Sequence, residues 1–229
     1  MPSVGASGSL AILIRAGLTS ARRRTSVRAA CFTLAAIHFA LSPLSFVGNT
    51  LMQTRIARTT EAAALHAEVP PHRAGPSAAH WVFILVASDP MAGLYAGAIR
   101  ALLLPGEPER GGVLSMARSP HRLTTTGASS LVIEAEQGSL LDGGFVGVFR
   151  SSRDAMQVGD AFVIPGATVH VQGVSAGAAT RIEVVFDLPL HDSGQTLLVW
   201  QDGLLRQFTP PALGESRQVS WSPGPIGLF

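Results

Sequence analysis

Beyond residue 80 every apolar run in this chain is short and is cut by glycine, proline or aspartate. Trp81–Ala87 stops at Ser88-Asp89-Pro90, Leu94–Leu104 at Pro105-Gly106, and Ser130–Leu141 at Asp142-Gly143-Gly144. Phe145–Phe149, Ala161–Ile164, Thr168–Val171, Arg181–Leu188, Gln195–Trp200 and Leu204–Phe208 follow, with Gly, Pro, Asp and Ser between them. Glycine enters the left-handed backbone region freely, and proline fixes φ and lacks an N–H, so this punctuation favours strands joined by turns. Asp202-Gly203 between two apolar runs is the pattern of a two-residue hairpin. The reading is an all-β sandwich or barrel over residues 80–229, and the 24 glycines and 15 prolines fit it. No repeat of fixed period appears, which disfavours a propeller or solenoid.

The first 58 residues read differently, as a basic leader. Residues 1–60 hold seven arginines and no acid, and the first carboxylate is Glu61. After Arg22-Arg23-Arg24 and Arg28 comes Ala29–Gly48, free of formal charge and about the length needed to cross roughly 30 Å of hydrocarbon. Pro43, His38 and three hydroxyl residues weaken the run. Arginines concentrated before it place the N-terminus in the cytoplasm and the folded domain outside, either membrane-anchored or secreted. A signal anchor competes with three alternatives. One is a cleaved signal, for which Ala40-Leu41-Ser42 offers small residues, with Pro43 just past the cut. The others are a transit-like or disordered extension and an overlong start with Met52 as initiator. Residues 59–79 read as a linker, with Pro70-Pro71 and Gly75-Pro76 ruling out a continuous helix.

Charge and cysteine count narrow the function. From residue 61 onward acids outnumber arginines, so the folded part is mildly acidic and nucleic acid is not an expected partner. The single cysteine, Cys31, excludes an internal disulfide framework and a multi-cysteine metal site. No serine stands in a Gly-x-Ser-x-Gly elbow, and Gly143-Gly144 lacks the Gly-Lys-Ser/Thr of a phosphate cradle. His66, His72, His80 and His191 lie in linker or turn sequence and are expected in solvent.

The segment Gln157–Val171, QVGDAFVIPGATVHV, resembles the second conserved motif of the cupin superfamily. Gly159, Pro165 and His170 fall at matching places. Gly166 stands one place early, and Val174 occupies the place of the motif's asparagine. Leu131–Gly138 resembles the close of the first motif, but the place of its glutamate holds Leu131 and its paired histidines are absent. The likeness covers residues 94–189. It implies a double-stranded β-helix, the cupin-type jelly roll, preceded by the N-terminal hydrophobic and basic leader. It also implies that His170 projects into the barrel, opposite a wall of Leu131 and Ile133, while Glu134 and Glu136 alternate to solvent.

A cavity with one imidazole and an apolar wall suits a small, largely apolar ligand, or no ligand in an inert scaffold. The expectation is therefore a non-catalytic small-molecule-binding or scaffold domain with no catalytic residue and no cofactor. The alternative is a metal-dependent enzyme, an oxygenase or isomerase, in which a divalent transition metal is held by His170, by His121 swung in from a loop, and by a carboxylate. The Leu197–Trp200 and Leu204–Phe208 hairpin reads as an exposed apolar surface for a homodimer. The N-terminal segment makes the membrane the other expected partner.

Overall fold

In a computed structural model the structure describes residues 11, 12, 15, 25–70, 80–104, 110–141 and 155–226. The predicted Phe145–Phe149 strand lies outside these residues, as does most of the predicted linker. The chain forms two compact units, Met1–Arg55 and Ile56–Phe229.

The first unit is helical. Helix α1 (Thr25–Ala36) passes through a π turn at Ile37–Leu41 into α2 (Ser42–Leu65). Pro43 explains the π turn. Proline has no N–H for the residue four back, and its ring crowds that carbonyl. The wider turn absorbs this, with the Ser42 N–H donating to Ile37 O. Two of the three hydroxyls that weaken the run in sequence are satisfied within the helix. Thr33 Oγ1 donates to Ala29 O at 3.0 Å and Ser42 Oγ to Ile37 O at 3.1 Å. Phe32, Ile37, Phe39, Leu44, Phe46 and Leu51 are exposed. Phe32–Leu65 is a helix long and apolar enough to cross a membrane, a test that secretory signals also pass.

The second unit is strand-rich but not all-β. Six strands form an antiparallel sheet in the order β10 (Ser216–Val219), β3 (His121–Thr125), β4 (Ser130–Ala135), β7 (Ala178–Phe186), β6 (Ala167–Ser175), β5 (Ala161–Ile164). A four-stranded sheet runs β2 (Arg110–Val113), β1 (Trp81–Val86), β8 (Gln195–Gln201), β9 (Leu204–Gln207). In it β1 is parallel to both β2 and β8. Leu123, Leu131, Ile133, Ile182, Val184 and Phe186 of the larger sheet share one core with Phe83, Leu85, Leu197 and Val199 of the smaller. Phe83 meets Phe186 edge-on across that core, with centroids 5.0 Å apart.

The smaller sheet is covered on its other face as well. Ile84, Leu198, Trp200 and Leu205 pack with Ala63 and Ala64 of α2 and with Ala92 and Ala96. Ala92 belongs to a π turn, Met91–Tyr95, that leads into helix α3 (Ala96–Leu103). The Leu94–Leu104 segment, expected as a strand, is therefore helical. Asp89 starts that helix: its Oδ1 accepts the N–H groups of Met91 and Ala92 at 2.9 and 3.0 Å, and Pro90 follows where a missing N–H costs nothing. Residues 59–65, read as linker, continue α2. Beyond them Glu68 pairs with Arg206 and accepts the Gln207 N–H at 3.0 Å. The guanidinium holds the Glu68 carboxyl below its ordinary range. β8 is buried through Gln195–Trp200, so the β8–β9 hairpin does not present the apolar surface expected for a second copy.

The turns follow the sequence closely. Asp202 and Gly203 have φ of 52° and 79°, the two left-handed residues of a type I′ hairpin. Gly166, in the β5–β6 turn, has φ of 83°, and a Cβ there sits 2.6 Å from Cε3 of Trp81. Left-handed backbone and the indole both demand glycine at this place. Gly166→Ala is expected to destabilise the domain by about 2–4 kcal/mol, combining backbone strain with overpacking. Chemical denaturation followed by tryptophan fluorescence checks this, and an unchanged midpoint contradicts the packing described.

Candidate functional site

The expected site residues fall on opposite faces of the six-stranded sheet. Leu131 and Ile133 point inward and are fully buried in the packed core. On β6 the inward residues are Ala167, Val169 and Val171, which join the core. His170 alternates with them and pairs in register with Glu183, whose neighbours Ile182 and Val184 are the inward residues of β7. His170 is therefore half-buried on the outer face, not inside a cavity. Its surroundings are polar. Glu183 accepts from Gln172 Nε2 at 2.8 Å and Thr126 Oγ1 at 3.0 Å, and Arg181 bridges Gln172 and Glu134.

His121 is the residue sequence reasoning misplaced most. It opens β3 rather than lying in a loop, faces inward, and is fully buried. Its Nε2 lies 2.7 Å from Ser115 Oγ, which also donates to Leu140 O at 2.8 Å and accepts from the Ala117 N–H at 3.3 Å. A serine hydroxyl has one proton. When that proton goes to Leu140 O, Nε2 is the donor to Oγ and Nδ1 keeps a bare lone pair. Nδ1 has no hydrogen-bond partner of good geometry, although the Ser119 backbone lies near enough to favour the protonated ring slightly. Burial dominates and pushes the His121 pKa down to about 4.

A hydroxyl 2.7 Å from an imidazole has the distance of a nucleophile and its base. Both groups are fully buried, so no substrate carbonyl reaches the oxygen. The pair works structurally, tying Ser115–Ala117 to β3 and to Leu140. His121 and His170, expected to share a metal ion, stand on opposite sides of one sheet and cannot both lie within about 2.0–2.2 Å of it. Among the described residues no three His, Cys, Asp or Glu side chains are grouped to hold a metal. His80, expected in solvent, is buried with Nε2 2.9 Å from Thr196 Oγ1.

Space for a ligand lies elsewhere. On the outer side of the smaller sheet a groove of about 220 Å³ runs between β1, β2 and the helical layer. Val82, Ile84, Leu94, Val113 and Leu198 line it, as do Arg100 and Arg110. An enclosed cavity of about 150 Å³ lined by aliphatic residues accepts benzene, and this groove is larger in volume. A more polar cleft of about 350 Å³, bordered by Gln201, Gln207, Arg217 and Gln218, opens between β9 and β10. There the Arg217 guanidinium lies 5.7 Å from the Phe208 ring centroid. Neither space includes His170, Leu131 or Ile133.

The groove depends on the helix after Asp89, and a signal for that helix stood in the sequence. Ser88-Asp89-Pro90 before an apolar run is a helix start, with aspartate as cap and proline in the first turn. Comparison with known proteins adds nothing: no protein-family model, curated protein or solved structure matches the chain, so nothing identifies it as a cupin.

A neutral His121 inside the fold has a definite pH signature. The unfolded ring has a pKa near 6.5 and the folded one about 4. Between these values the unfolded chain binds the extra proton, so stability is full above about pH 6.5 and falls as pH drops toward 4, by roughly 3 kcal/mol. His121→Phe is expected to flatten that part of the stability–pH curve. Identical curves for the two proteins mean that His121 is not held neutral.

Proposed function

We propose that this chain is a membrane-anchored β-sandwich module, held outside the cytoplasm, that binds a small apolar molecule and catalyses no reaction. The observation that carries the reading is the groove against β1 and β2, an apolar space open to the exterior beside a core that is otherwise packed. The anchor half of the proposal rests on the exposed apolar helix, and its orientation on the arginines that precede it. The Ser115–His121 hydroxyl–imidazole pair is sealed, which argues against hydrolysis there.

The cupin likeness supports this reading only locally. Gly159, with φ of 97°, and Pro165-Gly166 turn the chain as that motif does, and the β5–β6 hairpin results. The histidine it delivers then faces outward. Parallel pairing of β1 with both neighbours also departs from the antiparallel jelly roll that the likeness implies. Two sheets packed face to face remain the common ground.

Val82 lines the groove from β1 and is only half-buried, so Val82→Phe fills the space without overpacking the core. Full-length protein in lipid nanodiscs, titrated calorimetrically with medium-chain alcohols and fatty acids, is expected to show a saturable site. In Val82→Phe nanodiscs the site weakens by about tenfold or more, a loss of at least about 1.4 kcal/mol. Partitioning into lipid is the same for both proteins, so indistinguishable titrations refute the groove as a binding site.

A further inference from the structure

The groove against β1 and β2 is apolar but not neutral. Its walls are aliphatic side chains, glycines, Arg100 and Arg110, and among the described residues no aspartate or glutamate lines it. That charge runs against the rest of the unit. All 15 acids of the chain lie from Glu61 onward, where they outnumber the arginines. An apolar wall beside a cation without a counter-charge is complementary to a molecule that has a hydrocarbon chain and an anionic end.

The two arginines differ in what they offer. Nη1 of Arg100 donates to Ala64 O at 2.8 Å, which commits that guanidinium to the end of α2. Arg110 opens β2 and is exposed. Arg122, Arg181 and Arg206 each face a carboxylate, whereas among the described residues no acid pairs with Arg110. A guanidinium presents its N–H donors in one plane, the geometry that meets a carboxylate with two parallel hydrogen bonds. The backbone beside Arg110 also leaves room. Nothing lies within 4 Å of the place a Cβ would take on Gly112, and the same holds for Gly97 on the helical wall. Both glycines line the groove.

We propose that the groove takes an amphipathic monocarboxylate, its hydrocarbon chain against Val82, Ile84 and Leu198 and its carboxylate on Arg110. This rests on the groove reading above and adds the charge of the ligand to it. Only the chain is buried in this arrangement. The carboxylate stays at an exposed guanidinium and is not stripped of water without a partner. An ion pair so placed weakens as salt rises, and burial of the chain does not.

Octanoate and n-octanol, equal in chain length, separate charge from hydrocarbon. Each is titrated calorimetrically into full-length protein in phosphatidylcholine nanodiscs at about pH 7.5, where a carboxyl with an ordinary pKa near 4 is ionised. Val82→Phe nanodiscs supply the reference for partitioning into lipid. Octanoate is expected to bind about tenfold more tightly than octanol. Raising salt from about 0.05 to about 0.5 M is expected to weaken octanoate severalfold and octanol not at all. Arg110→Gln is expected to bring the two compounds within about twofold of each other. Equal affinities in the parent protein mean that the arginine stems line the wall with their heads in water, which overturns the charge assignment and leaves the groove standing. An octanoate advantage that survives Arg110→Gln also overturns the proposal. Titrations of both compounds that match those of Val82→Phe overturn the groove reading, and this proposal with it.

Discussion

Burial of the smaller sheet from both sides is the constraint on which the second unit depends. β8 alternates Leu197 and Val199 into the core shared with the larger sheet and Leu198 and Trp200 toward the helices. β1 does the same with Phe83 and Leu85 on one side and Ile84 on the other. Strands with two apolar faces need two covers, and parallel neighbours are the pairing usually found where both faces are covered. The helical layer is thus as much part of the fold as the second sheet. One carboxylate joins its start to the C-terminal stretch: Asp89, almost fully buried, caps the helix and accepts the Ile226 N–H at 2.7 Å. The C-terminal stretch it holds also accepts the Trp200 indole N–H at Pro223 O.

The same constraint explains where the groove lies. The space between the sheets is filled, whereas the seam between strands and helices is bridged by small residues, Gly93, Ala96 and Gly97, that leave a groove. The one exposed flank of the helical layer is apolar for the same reason as the buried one: its sequence has almost no polar residue to offer.

Much of this was legible in the sequence, in proportion to how local the cause was. The hairpin at Asp202-Gly203, the β5–β6 turn at Pro165-Gly166 and the inward set Leu131 and Ile133 each follow from turn chemistry or period-two alternation, which a few residues encode. Leu94–Leu104 reads as a strand because a short apolar run has no period that separates strand from helix, and the deciding residue, Asp89, stands before the run. His170 was placed inside because its motif encodes the turn but not which face the next strand turns to the core; that depends on pairing with Glu183 and Ile182, fixed only by the sheet. The local sequence does not put His121 on a strand because its partners, Ser115, Ala135 and Val219, come from three separate segments.

The Asp89 carboxylate ties the start of helix α3 to the C-terminal stretch that reaches Trp200 of β8. Hydrogen–deuterium exchange on Asp89→Ala tests this tie most directly. Protection should fall at Met91–Leu103 and around Ile226 together, while β3, β4 and β7 keep theirs. Undiminished protection of that helix in the variant contradicts it.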